Sequence, residues 1–139
     1  MEIVINACFG GFGLSSKAIK RYLELKNKEC HFYTYKFCGN KVESFQKVDE
    51  LQIKLGMSLI ISTKDLGLEI SEIPNEFYFA KYEINRTDNN LIQVIKELGK
   101  EANDKFAELK IVTIPDNVKW EITEGDGMEC IEEIHRKWN

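Results

Sequence analysis

The chain reads as an α+β protein, a mixed sheet of six or seven strands with two main helices on one face. Three observations predict this. A short apolar run, a helical pattern and a second β-rich run follow one another at the start, an α/β-like opening. Only two stretches, 15–26 and 89–102, carry a full helical stripe of apolar residues. Two β-rich arms flank Gly125-Asp126-Gly127 near the end, the signal of an antiparallel hairpin, because glycine and aspartate tolerate positive φ.

Each element follows from its own residues. Residues 2–8 are apolar and rich in β-branched side chains, which predicts a buried strand. In 15–26, Leu14, Ala18, Tyr22 and Leu25 recur at helical spacing, widened by Ile19 and Leu23, with Lys17, Lys20, Arg21 and Lys26 opposite. Ser15 or Ser16 can cap that helix by accepting from a free backbone N–H. Cys30 to Phe37 is strongly β in type, and Cys38 to Lys41 reads as a turn. Residues 42–55 fit either a helix face (Val42, Phe45, Val48, Leu51) or a strand near 45–48. Met57 to Ser62 and Phe77 to Ile84 read as strands. Thr87 or Asp88 caps the helix at 89–102, whose inner stripe is Leu91, Ile95, Leu98 and Ala102. Ile111 to Ile114 is a strand stopped by Pro115, and Val118 to Glu124 pairs with Met128 to about Glu133 across the hairpin turn. Ile131, Ile134 and Trp138 also fit a last helical turn.

The 139 residues, two prolines and lack of a low-complexity linker predict one domain, 1–139. A 43% apolar share is ordinary for a folded core. The net charge of −4 argues against long nucleic acid and anionic membrane as partners, but leaves room for a small anion in a local basic pocket. No run approaches the roughly 20 apolar residues of a membrane span. Glu2 stands where a signal peptide is positive, so a cytoplasmic location is expected. The four cysteines, Cys8, Cys30, Cys38 and Cys130, form no CxxC and read as reduced thiols. A metal site would have to assemble Cys30, His31, Cys38 and His135 through the fold; no cofactor or metal is expected.

The chemistry concentrates in Cys8-Phe9-Gly10-Gly11-Phe12-Gly13-Leu14-Ser15, between the first strand and the first helix. A glycine-rich turn before a helix N-terminus can offer backbone N–H groups to a phosphate, with Lys17 one turn on. The run lacks the third glycine of a dinucleotide fingerprint and is no GxxxxGK[ST] loop, so neither a Rossmann site nor a P-loop is present. Phe9 and Phe12 suit a stacked base. Asn6 or Asp88 can read a hydroxyl or base edge, and Arg86 can fork onto phosphate. Lys64 and Asp65 follow another strand; Arg136 and Trp138 can close over a ligand. Bland alternatives stand beside each of these: a tight turn with tucked phenylalanines, a plain N-cap, a surface ion pair, an anchored tail. His31 and His135 lie in no nucleophile motif, and Cys8 ends an apolar strand where burial competes with reactivity.

Taken together, the stretch from Ile5 to Ser15, Arg86-Thr87-Asp88, the stretch from Leu109 to Asp116, Trp120-Glu121-Ile122, Asp126-Gly127 and His135-Arg136-Lys137-Trp138 resemble a family of small bacteriophage proteins. Its members begin N-x-C-[FY]-G-G-F and end W-E-I … D-G … H-R-x-W. The resemblance spans the chain except about residues 38–60. Short phage proteins of this kind include sponges that sequester nucleotide signals of bacterial defence systems such as Thoeris and CBASS. The resemblance therefore implies a homodimer or higher homo-oligomer in the host cytoplasm that retains an ADP-ribose-derived signal, such as cyclic ADP-ribose, or a cyclic oligonucleotide, without catalysis. Asn6, Phe9, Gly10, Gly11, Phe12, Gly13, Ser15, Lys64, Arg86, Asp88, Arg136 and Trp138 are the expected ligand-binding residues. Two rival readings predict different behaviour: an enzyme would turn the nucleotide over and depend on Cys8, His31 or His135, whereas a host-protein binder would expose an apolar patch and need no small ligand.

Overall fold

A computed structural model describes residues 1–135. The first strand, β1 (Glu2–Asn6), is buried along almost its whole length, as its apolar run requires. It ends two residues earlier than its apolar pattern suggests. The Asn6 side chain turns back and donates to the Cys8 carbonyl at 2.8 Å, bending the chain out of the ladder. Helix α1 (Ser16–Leu25) follows, with Ser15 as N-cap accepting from the Ala18 N–H. It buries Ala18, Ile19, Tyr22 and Leu23, the stripe its spacing predicts.

Strands β2 (His31–Cys38) and β3 (Lys41–Val48) form a hairpin, which resolves the ambiguous segment as a strand. A short 3₁₀ turn (Glu50–Gln52), capped by Asp49, closes it. Three short strands, β4 (Ile60–Ser62), β5 (Glu69–Ile70) and β6 (Tyr78–Phe79), complete a five-stranded sheet in the order β5-β3-β2-β4-β6. The expected strand Phe77–Ile84 is therefore reduced to two residues. Local turns take the rest: the Phe77 and Tyr78 N–H groups donate to the Pro74 carbonyl, and Glu83 donates to Ala80. Likewise β4 starts at Ile60 rather than Met57, because Met57 closes a turn onto Lys54.

Helix α2 (Asn89–Leu98) is capped by Asp88 and buries Leu91, Ile92, Val94 and Ile95. Its α-helical part stops short of residue 102 because Gly99 takes φ +56°, and a 3₁₀ turn (Gly99–Ala102) continues the path. Strand β7 (Leu109–Thr113) returns antiparallel to β1, pairing Ile3 with Val112 and Ile5 with Lys110. Strands β8 (Trp120–Gly125) and β9 (Met128–Glu133) form the last hairpin. Positive φ at Asp126 and Gly127 makes its two-residue turn, as the Gly-Asp-Gly signal predicts.

The α+β class and the two helices hold. All pairings among the described residues are antiparallel, and they fall into three sheets of two, five and two strands. The α/β-like opening does not become a parallel βαβ unit, since β1 joins β7 while β2 joins β3 and β4. One apolar core nevertheless ties most of the chain together. It unites Val4 of β1 with the inner faces of α1 and α2 and with Phe32, Val48 and Ile61 of the five-stranded sheet. No residue of β8 or β9 belongs to it.

Candidate functional site

The glycine run is packed against protein backbone. A Cβ on Gly10 would stand 1.8 Å from the Phe106 carbonyl oxygen, and one on Gly127 would stand 2.3 Å from the Gly11 nitrogen. The loop 8–15 is thus clamped between the segment 104–106 and the tip of the β8–β9 hairpin. Only Gly11, at φ +91° with nothing within 4 Å, faces open space. Gly13 abuts Asp104, whose N–H donates to the Gly13 carbonyl.

Asn6 organises this junction from a fully buried position. Its amide Nδ2 donates to the carbonyls of Cys8 and Gly127, and its Oδ1 accepts the Glu108 N–H at 2.8 Å. Its backbone N–H donates to Glu129 Oε1 at 2.8 Å. Arg86 forks onto the same carboxylate, at 2.7 and 3.0 Å, while also donating to the Val4 carbonyl. Its guanidinium lies 3.4 Å from the centre of the Phe12 ring. The loops bearing Asn6, Phe12 and Arg86 therefore converge, and the carboxylate in Arg86's fork is Glu129.

The other expected residues divide. Ser15 is spent as a cap, and its hydroxyl also donates to the Glu101 carbonyl. Asp88 caps α2, accepts from Tyr22 and pairs with Lys26. Its burial raises the carboxyl, yet hydrogen bonds from Tyr22 and the Asn90 N–H, with Lys26, hold it below the usual carboxylate range. Lys64 stands over the Phe77 ring beside β6, and no contact among the described residues joins it to the glycine loop. Phe9 and Phe106 are left exposed at the junction, with Lys105 over the Phe106 ring. Arg136 and Trp138 lie outside the described residues. Cys8 donates its thiol to the Phe106 carbonyl at 3.1 Å and has no imidazole beside it among the described residues. Cys30 lies just before β2 and Cys38 at its far end, roughly 25 Å apart at strand rise, too far to share a metal ion. Burial pushes the Cys30 thiol up to about 12, so it stays protonated.

An open cavity lies on the other side of Asp104. Tyr35, Tyr78, Tyr82, Lys81, Met57 and Asp104 line a cleft of about 300 Å³. It shares Gly56, Met57, Leu59, Lys81 and Asp104 with a smaller hollow that reaches Ser16, at the start of α1, and Lys54. Lys81 donates to the Leu59 carbonyl at 3.1 Å and lies over the Tyr82 ring. Among the described residues it has no carboxylate partner, and none bonds to the phenols of Tyr35, Tyr78 or Tyr82. Three larger depressions are less suited to an anion. In the smallest of them Lys96 is paired with Glu2. In another, Lys47 is paired with Asp65; in the third, Lys17, Lys20 and Arg21 are matched by Glu101, Glu50 and Glu97.

Sequence reasoning passed over these cleft residues. Tyr78 and Tyr82 alternate like strand residues, which hid them; the signal was the Lys-Tyr pair inside an aromatic run. Comparison of the chain with models of protein families, with curated proteins and with solved structures finds no match.

Proposed function

We propose that the protein binds a small phosphate-bearing nucleotide and withholds it by retention, with no chemical step. The carrying observation is the cleft bounded by Tyr35, Tyr78 and Tyr82 with Lys81 free of any carboxylate partner among the described residues. Tyrosine faces stack on a base and their hydroxyls read its edge, while a lysine without a carboxylate partner can pair with a phosphate. The hollow toward Ser16 adds the start of α1, where free N–H groups favour anions. The volume lies at the low end of small-ligand sites, which suits one nucleotide unit at a time. Together with the phage-family resemblance, this favours a sponge for an ADP-ribose-derived or cyclic-nucleotide immune signal, acting as a homodimer in the infected cell. The glycine run serves this reading by fixing Asp104, which lines the cleft.

The test is to incubate the purified protein with a panel of ADP-ribose derivatives and cyclic nucleotides, remove free ligand, denature by heat and identify what is released. Intact ligand recovered from the native protein, and lost with Lys81→Ala and Tyr82→Ala, is the expected result. A chemically altered product would assign an enzyme instead. A second reading draws on the β2–β3 hairpin, where Tyr35, Phe37 and Val42 are exposed and the rings of Tyr35, Phe37 and Phe45 cluster. That surface favours a host-protein partner, and no retained nucleotide from any member of the panel would move the assignment there.

A further inference from the structure

The β8–β9 hairpin is joined to the body by a small polar footprint. Of its fourteen residues, 120–133, only Gly127 and Glu129 are buried. Gly127 offers its carbonyl to Asn6 and rests on the Gly10–Gly11 backbone, and Glu129 enters the fork of Arg86. The same stretch carries six carboxylates and no Lys or Arg, whereas the whole chain is only −4. The arm is therefore self-repelling, and Arg86 is the one cation it pairs with among the described residues. A two-stranded hairpin has little stability of its own.

The receptor under Glu129 does not depend on Glu129. Arg86 is held from below by the Phe12 face and from the side by the Val4 carbonyl. The Asn6 N–H belongs to β1, which is locked to β7. Two guanidinium N–H groups and one backbone N–H thus converge on one oxyanion position. The backbone donor is on β1, and Arg86, whose carbonyl accepts the Val4 N–H at 2.9 Å, is on the turn before α2. The guanidinium also keeps some exposure, with 18% of the Arg86 side chain open to solvent.

We infer that Arg86, the Asn6 N–H and Phe12 form an oxyanion receptor that Glu129 occupies in cis, and that a phosphate group can take its place by displacing the β8–β9 arm. Displacement frees the Gly11 N–H, against which Gly127 of the hairpin tip now packs. The arm is then a built-in competitor: it keeps the receptor closed to weak anions and opens it to a group of higher charge. This site is separate from the tyrosine cleft and stands or falls independently of the nucleotide reading.

The experiment uses the full chain and inorganic phosphate as probe, with chloride at matched ionic strength as control. In Glu129→Ala the receptor is vacant, and phosphate is expected to raise the melting temperature in a saturable way, by several degrees at tens of millimolar. The double variant Arg86→Ala/Glu129→Ala is expected to lose that response. In the native protein, phosphate is expected to speed amide exchange across 120–133 at least twofold while α1 and α2 stay protected. If Glu129→Ala does not fold, the exchange measurement on the native chain decides alone. The same phosphate response in the double variant, or no phosphate-specific acceleration of 120–133 in the native chain, would overturn the inference and leave Glu129 as a purely structural contact.

Discussion

The helix pair and the terminal hairpin are attached to the molecule by opposite means. α1 and α2 bury eight side chains of ordinary apolar type against each other and the sheets. The β8–β9 hairpin adds nothing to that core and is held by one carboxylate, one guanidinium and one amide. Apolar burial is non-directional and accumulates over area, so no single contact decides it. A buried ion pair is directional and concentrated, and losing one partner leaves the other stranded. The helices should therefore fail gradually with core truncations, and the hairpin should fail at once with a single change.

Two substitutions break this comparison most sharply. Leu91 is fully buried in α2, and Leu91→Ala is expected to cost about 2–5 kcal/mol of global stability, read as a lowered urea midpoint in every probe. Arg86→Ala strands Glu129 and is expected to cost about 3 kcal/mol. Its signature should be local: amide exchange across 120–133 should rise well before that of α1 or α2. Uniform acceleration over the whole chain would mean that the hairpin and the core unfold as one unit.

The glycines sharpen the comparison at the contact itself. Gly10→Ala would force a methyl onto the Phe106 carbonyl, and Gly127→Ala would add a clash with Gly11 to an unfavourable φ of +87°. Each should cost about 1–3 kcal/mol by displacing backbone. Gly11→Ala meets open space and has only its φ to strain, which costs about 1 kcal/mol. Thermal melts of the three variants should place Gly11→Ala nearest the native protein. The reverse order would mean that the loop yields easily and that its glycines serve something other than packing.

The same contrast explains what could be read from the sequence. Helix periodicity, the caps at Ser15 and Asp88 and the Asp126-Gly127 turn are local, set by residues within a few positions of one another. Those were legible. Partnership was not. Nothing near Arg86 in the chain says that its fork closes on Glu129, forty-three positions away. Nothing near Gly10 announces Phe106, ninety-six positions on by number. An alternating pattern such as 77–84 becomes a strand only if an edge is free to receive it, and β4 receives just two of its residues. The glycine run reads in the sequence as a place where backbone approaches a ligand, whereas Gly10 approaches the Phe106 carbonyl and Gly127 approaches Gly11, partners within the chain that no local pattern names. Glu129 sits in an acid-rich stretch where each carboxylate looks like the next.

The smallest expected effect concerns the surface link between the helices. Glu97 of α2 accepts from Arg21 of α1 at 2.8 and 3.2 Å and from Gln93. The Arg21 hydrogen bonds, then Gln93, hold its carboxyl down at about 2 against an ordinary 4.5. A lowered folded-state value means that ionised Glu97 favours the folded chain above about pH 4.5, and that this contribution fades as pH falls toward 2. The pair is exposed, so solvent and salt reduce its worth. Glu97→Gln is accordingly expected to melt slightly below the native protein at neutral pH and low salt. The gap should close both in high salt and on acidification toward pH 2. A gap that persists through acidification would show that the glutamate acts by packing between the helices, which would bring this surface contact under the same rule as the core beneath it.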